Sequence, residues 1–259
     1  MPLVETFAAK GFATAAQMFD PVLIGEAHDE YMRQYGDLNA DDLTAHYQVG
    51  ERRVQLPIQL RGPLLDPALY ANPLLLGILS GLLGRDILID NFTCVTALAG
   101  APSQHFHRDH PDPLPLIGPG VVAPPFAVTV AIPLVDLTPA TGTTELYPGS
   151  HAAGLSADGK PRQTFEPERP YLNRGGCILM DYRLWHRGLA NSSQQARPVL
   201  YIVYARHWFT DNINFNRDCR INLRIEDAAT IPPTARRLFR RLAVKGAFDM
   251  TWDDFDRMK

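Results

Sequence analysis

Cysteine is scarce: Cys94, Cys177 and Cys219 are the only three in 259 residues. They are odd in number, far apart and form no C-x-x-C pair, which argues against a zinc ribbon, a redox dithiol or a disulfide-stapled scaffold. A reducing, cytoplasmic setting is expected. An excess of one charge is also missing, since 25 basic residues face 28 acidic ones for a net charge of −3. With an isoelectric point near 6.2, the chain has no general attraction for phosphate backbones or anionic lipid. Neither nucleic acid nor a membrane is an expected partner. Met1–Phe19 places Glu5 before the first basic residue, Lys10, and lacks a continuous apolar run, so it does not read as a signal peptide. Residues 113–135 carry no charge and could span a bilayer, yet prolines at 113, 115, 119, 124, 125 and 133 would break any helix there. They read as a proline-rich loop feeding a buried strand. No internal repeat or dividing linker is found. What is present, 46% hydrophobic and 20% charged residues, suits a soluble globular protein with a sizeable core, and one domain is expected.

Helical patterns come first along the chain. Leu3–Phe19 puts Phe7, Phe12, Ala15, Met18 and Phe19 near one face, and a second helix is predicted over Glu26–Tyr35, after Pro21. Asn72-Pro73 supplies a cap and a first-turn proline for a buried helix Leu74–Leu83, which Gly84 closes. The β-rich runs are Val54–Leu60, Ile87–Ala97, Phe126–Val135, Thr143–Tyr147, Gly176–Tyr182 and Pro198–Trp208. Without βα alternation, an antiparallel α+β or barrel-like fold is expected. A tail helix over Pro233–Gly246 is expected to turn Arg236, Arg237, Arg240 and Arg241 to water.

The eight histidines carry the chemical information, because a neutral imidazole is the commonest metal ligand. Three short acidic triplets compete: His107-x-Asp109, His110-x-Asp112 and His28-x-Glu30. In an extended segment residues i and i+2 point the same way, so His107 and Asp109 can present an imidazole and a carboxylate to one ion. The second triplet is interrupted by Pro111. The third falls in a predicted helix, where i and i+2 face apart. A third ligand from another strand is expected at His186, beyond the apolar run Cys177–Asp181. Two histidines and one carboxylate leave coordination positions open, as non-haem Fe(II) oxygenases require. Arg197 lies eleven residues beyond His186, so a hairpin-like return can bring its guanidinium to the same cavity as partner for a distal carboxylate. Each also has a plain reading, His186 as a hydrogen-bonded core histidine and Arg197 as a charge flanking a strand.

The motifs Gln104-x-x-His107-Arg108-Asp109, Gly142-Thr143-Thr144 through Pro148-Gly149-Ser150-His151, and Trp185-His186-Arg187-Gly188 with Asn191 and Arg197-Pro198 stand in a recognisable order. Together they resemble the phytanoyl-CoA dioxygenase family of Fe(II)/2-oxoglutarate oxygenases, over roughly residues 5–225. The resemblance implies a mainly β fold with flanking helices, its core a double-stranded β-helix (jelly-roll, cupin-like). The expected layout of 1–259 is a helical part over about 1–85, the jelly-roll over about 86–210 and an extension with a helix over about 211–259. It further implies His107, Asp109 and His186 as iron ligands and Arg197 as the partner of the 2-oxoglutarate C5 carboxylate. Gln104 and Thr144 match positions that contact the co-substrate, and His151 falls in a structural turn. The implied cofactors are Fe(II), 2-oxoglutarate and O2, with release of succinate and CO2 as a C–H bond of a small organic molecule is oxidised. Hydroxylation is the default. Halogenating relatives replace the carboxylate ligand, which this chain retains as Asp109. The chain ends without Ser-Lys-Leu, which sets a peroxisomal acyl-CoA aside in favour of a small secondary metabolite.

His107-Arg108-Asp109 also opens a kinase catalytic loop, but Leu114 stands where that loop needs Asn, and no Gly-rich loop or D-F-G is present. A zinc hydrolase would accept the same three ligands, without H-E-x-x-H and with no role for Arg197. A non-catalytic jelly-roll binding module is the other alternative. His105, Phe106, Trp208, Phe209 and Phe215 are candidates for lining a pocket, and Ala153–Arg174 for a lid or long surface loop. The sequence leaves the oligomeric state open.

Overall fold

The computed structural model describes residues 2–112, 123–153, 161, 164–214 and 220–242. The strands are β1 (Phe12–Ala15), β2 (Gln48–Gly50), β3 (Arg53–Leu56), β4 (Ile87–Ala97), β5 (Ala127–Pro133), β6 (Thr144–Leu146), β7 (Cys177–Asp181), β8 (His186–Gly188) and β9 (Arg197–Arg206). Seven of them form one sheet in the order β1-β7-β5-β9-β4-β3-β2, and β6 pairs with β8 in a second, small sheet. All these pairings are antiparallel.

Strand alternation gives the large sheet two different faces. Its outer face is apolar: Val54, Leu56, Phe92, Cys94, Val128, Val130, Ile132, Leu179, Leu200 and Ile202 join one buried cluster. Helices α1 (Pro2–Lys10), α2 (Pro21–Tyr35), α3 (Ala40–Tyr47), α4 (Pro67–Tyr70) and α5 (Pro73–Leu83) supply the partners. From α5 come Leu75, Ile78, Leu79, Leu82 and Leu83. Burying each such side chain is worth about 1.5–3 kcal/mol over leaving it in water. Helix α5 begins and ends as its sequence predicts. Asn72 Oδ1 accepts from the amides of Leu74 (3.0 Å) and Leu75 (3.2 Å), Pro73 fills the first turn, and Gly84 leaves at φ 85°.

A bulge sets which residues of β4 look inward. Ile89 pairs with Tyr204 and Asn91 with Val203, so Asp90 is an extra residue. Before it the odd-numbered Ile87 and Ile89 join the outer cluster; after it the even-numbered Phe92 and Cys94 do. Asn91, Thr93, Val95 and Ala97 are thereby turned to the inner face. The Asp90 carboxylate is buried and receives Arg220 Nη1 at 3.0 Å, the Asp211 amide at 3.2 Å and Arg241 Nη1.

Several expectations need correction. The helix predicted over Leu3–Phe19 stops at Lys10: Gly11 takes φ 80°, and Phe12–Ala15 becomes an edge strand against Cys177–Met180. Phe7, Phe12, Met18 and Phe19 are still buried. The run Val54–Leu60 is a strand only to Leu56 because Pro57 brings no backbone donor. The region over 1–85 thus contributes three strands as well as helices. The tail is a single α-turn, Pro233–Arg236, and a 3-10 turn, Arg237–Phe239. Arg240 and Arg241 do not simply face water there, since they bond Asp86 and Asp90. The rest of the predicted tail helix, 243–246, lies outside the described residues, as do most of the proline-rich loop and part of Ala153–Arg174.

Asp90→Ala should destabilise the protein by about 3 kcal/mol or more, because it removes the buried carboxylate that two guanidinia share. A urea midpoint within error of the parent's would refute this role.

Candidate functional site

The site sits where the small sheet meets the inner face of the large one. His107 bridges to β8: its amide donates to His186 O (3.0 Å), and the His186 amide donates to His107 O (2.8 Å). Two imidazoles from distant parts of the chain are thereby held side by side, ring centroids 4.5 Å apart. One ligand atom each from His107, Asp109 and His186 lies within 4.8 Å of the others. The Asp109 Oδ1 to His186 Nε2 distance is 3.6 Å, and Thr129 Oγ1 donates to Asp109 Oδ2 at 3.4 Å. Among the described residues this is the one such group of three.

Both rings are set in the tautomer a metal needs. His107 Nδ1 lies 2.9 Å from His105 O and His186 Nδ1 lies 3.0 Å from Leu184 O. A carbonyl only accepts, so each Nδ1 carries the proton and each Nε2 keeps a lone pair. Burial, and next the adjacent His186, push His107 down to about 3, so it is neutral at working pH. Desolvation raises the Asp109 carboxyl above its ordinary range. One carboxyl group and two imidazoles with open space beside them suit a divalent metal.

That space is a cavity of about 360 Å³, with Gln55, Asn91, His105, Arg108, Tyr182 and Asn214 among its lining residues. A small second cavity of about 20 Å³ adjoins it, sharing Val95, Gln104 and Tyr201. Arg53 and Arg197 line this well. Register explains their meeting: Ala97 on β4 pairs with Arg53 on one side and Arg197 on the other, and its methyl leaves room for both. Asn191 shapes the return that delivers Arg197, its Nδ2 donating to the carbonyls of Ala97 (3.0 Å) and Gln195 (2.7 Å).

Both guanidinia are buried, and no carboxylate of the described residues is paired with either. Arg197 Nη1 donates to Thr141 O (2.9 Å) and Leu189 O (3.2 Å), while Arg53 Nη2 donates to Pro102 O (3.1 Å). Arg53 Nε is buried without a partner. Burial, and then Arg53, lower Arg197 to about 10; burial lowers Arg53 as well. Two desolvated cations sharing one well call for an anion. Glycine keeps the well open. A Cβ on Gly142, at φ 77°, would meet Arg197 Nη1 at 2.5 Å, and one on Gly188 would meet Gln104 Oε1 at 2.6 Å.

The other expected residues are placed as follows. Gln104 lines both cavities, its Oε1 accepting from the Gly188 amide at 2.9 Å. Thr144 lines the well together with Tyr201. His105 lines the larger cavity, but Phe106 packs on Trp185 and Tyr147. Phe209 belongs to a core with Phe126 and Tyr182, Trp208 is exposed, and Phe215 lies outside the described residues. His110 stands outside the ligand cluster with Nδ1 on Pro111 O, and Glu30 is tied to Arg33 and Arg61. Arg53, Tyr201 and Asn91 were not singled out from the sequence. The i, i+2 series from Arg197 along β9 reaches Tyr201; Arg53 beside Arg52 resembles an ordinary exposed pair.

The chain belongs to the phytanoyl-CoA dioxygenase (PhyH) family, whose model matches residues 8–199. The curated Dioxygenase af480 of Aspergillus fumigatus is 30% identical over 139 residues, 53% of this chain but only 43% of that protein's length. Among solved structures, the epimerase SnoN in complex with Fe3+, alpha ketoglutarate and nogalamycin RO is similar at TM-score 0.62 and 16% identity, covering 86% of this chain and 92% of that one. AviO1 from Streptomyces viridochromogenes Tue57 is similar at TM-score 0.59 and 22% identity, covering 81% and 96%. These likenesses establish the jelly-roll fold, and the family match relates the chain to dioxygenases.

The depressed His107 has a consequence for stability. Unfolded, this imidazole takes a proton as pH drops through 6.5; folded, it holds out to about 3. The unfolded state therefore binds more protons over that window, and metal-free protein should lose stability as pH falls from about 6.5. Urea titrations of the parent and His107→Leu between pH 7.5 and 4 check this, with a shallower acid slope expected in the variant.

Proposed function

We propose that this protein is an Fe(II)- and 2-oxoglutarate-dependent dioxygenase that hydroxylates a C–H bond of a small organic molecule in secondary metabolism. The observation that carries the reading is a two-histidine, one-aspartate cluster beside a well with two buried, carboxylate-free guanidinia. In this assignment His107, Asp109 and His186 hold the iron, and Arg197 receives the distal carboxylate of 2-oxoglutarate. Arg53 shares that anion, and Gln104, Thr144 and Tyr201 line its site. Bound together, iron and 2-oxoglutarate supply O2 activation coupled to decarboxylation to succinate and CO2.

The chain's own residues prepare that chemistry. The backbone carbonyls of His105 and Leu184 retain the Nδ1 protons, leaving both Nε2 atoms as donors to metal. Thr129 restrains Asp109 by one oxygen. The guanidinium pair favours a carboxylate over a neutral group in the well, since neither cation has a carboxylate partner among the described residues. The larger cavity, about 360 Å³ with mixed polar and apolar walls, suits a small metabolite better than a long acyl chain. SnoN, of similar fold, belongs to nogalamycin biosynthesis, which fits that class. No helix among the described residues is long and apolar enough to cross a membrane. Buried, unpaired Cys94 and Cys177 agree with a cytoplasmic setting.

The decisive experiment adds Fe(II) and 2-oxoglutarate anaerobically, follows the visible band of the chelate, then admits O2 with candidate metabolites and measures succinate. A zinc hydrolase would act without O2 or 2-oxoglutarate, and a binding module would give no band. His107→Ala and His186→Ala should each abolish Co(II) binding at micromolar concentration while the far-ultraviolet spectrum stays native; retained binding removes that residue from the ligand set. Arg197→Lys should raise the 2-oxoglutarate concentration for half-saturation about tenfold or more, because a point charge cannot reproduce a two-pronged contact. Equal half-saturation in parent and variant would overturn the assignment of Arg197.

A further inference from the structure

One polar group on the inner face of the sheet has no partner among the described residues. Asn91 is fully buried and lines the larger cavity, and its Nδ2 makes no hydrogen bond. The opposite end of the same amide is fixed. Gln55 Nε2 donates to Thr93 Oγ1 (3.1 Å), so the Thr93 hydroxyl proton is directed to Asn91 Oδ1 (3.0 Å). Gln55, Thr93 and Asn91 form a one-way chain that ends in two unspent N–H bonds. Native interiors rarely keep such a donor, since its desolvation is not repaid by any acceptor. The neighbours Val95 and Val203 are aliphatic, so leucine here would continue the apolar lining and spare that cost. Asn91 faces inward only because Asp90 is inserted ahead of it.

Its position relative to the cluster follows from register. Asn91 pairs with Val203, and Val203 pairs with Thr129, whose hydroxyl donates to Asp109. Adjacent strands lie about 4.8 Å apart, so Asn91 stands about 10 Å across the sheet from the residue that restrains Asp109. The groups beside Asn91 are neutral: Thr93, Gln55 and Val203. The two unspent N–H donors of Asn91 suit a neutral acceptor.

We propose that Asn91 Nδ2 is the donor that recognises the prime substrate, which carries a neutral oxygen acceptor such as a ketone about 10 Å across the sheet from the Thr129 position. This rests on the cavity being the oxygenase's substrate site, and it makes Asn91 a specificity-determining residue for oxygenated ring compounds over their hydrocarbons.

The test uses the whole protein loaded with zinc(II), a diamagnetic stand-in for iron, and 2-oxoglutarate. Three pairs of probes differ by one oxygen: cyclohexanone and cyclohexane, camphor and bornane, 1-tetralone and tetralin. The side-chain amide of Asn91 is assigned as the pair of proton–nitrogen signals lost in Asn91→Leu. At least one ketone should move those signals and bind about tenfold tighter than its hydrocarbon, the ratio one hydrogen bond supports. In Asn91→Leu the preference should fall to near unity while 2-oxoglutarate still binds. An Asn91 amide unmoved by all three ketones at their solubility limit, or a ketone preference that survives in Asn91→Leu, overturns the proposal. The oxygenase reading fails separately, on absence of the anaerobic Fe(II)–2-oxoglutarate band in the parent protein.

Discussion

Two guanidinia held in one desolvated well are the constraint around which this molecule is organised. Arg53 and Arg197 repel each other, and only backbone carbonyls answer them among the described residues. Such an arrangement stands because the surrounding sheet pins it. Ala97 between them is small, Gly142 and Gly188 leave the approach free, and Asn191 locks the loop that returns Arg197. An anion entering the well would relieve that repulsion, a cost the protein already bears before any ligand arrives.

The metal cluster depends on the same economy of backbone contacts. His107 and His186 are neighbours because two short segments bond each other's main chain. Their side-chain protons are then committed to carbonyls two residues back in each case. No acidic side chain is spent on orienting either ring, which leaves Asp109 available to complete the donor set. Family membership, the jelly-roll similarity and this geometry point the same way, although they come from different observations.

Much of this was legible in the sequence, and the failures have physical causes. The bounds Ile87–Ala97 could be read because the run is rich in β-branched and aromatic residues. Asn72, Pro73 and Gly84 announced α5 through capping chemistry. Phe12–Ala15 reads as helix because Phe12, Ala15 and Phe19 fall at helical spacing, while edge pairing with β7 decides otherwise. The three residues of β8 are too few to show a period. The iron-site candidates stood out by motif order, but Arg53 did not, since its meaning comes from the register across Ala97. Asn91 was hidden for a similar reason: the bulge at Asp90 leaves no mark in the sequence, yet it decides which side chains look inward.

That bulge joins two distant parts of the protein. The extra residue keeps its place because its carboxylate is gripped by Arg220 and Arg241, well beyond the last strand. Without that grip β4 could relax to regular pairing with β9, and a slip of one residue would send Asn91 to the helix side and bring an isoleucine or phenylalanine into the chamber. The far end of the described chain therefore helps to fix which side chains line the interior, without lining it.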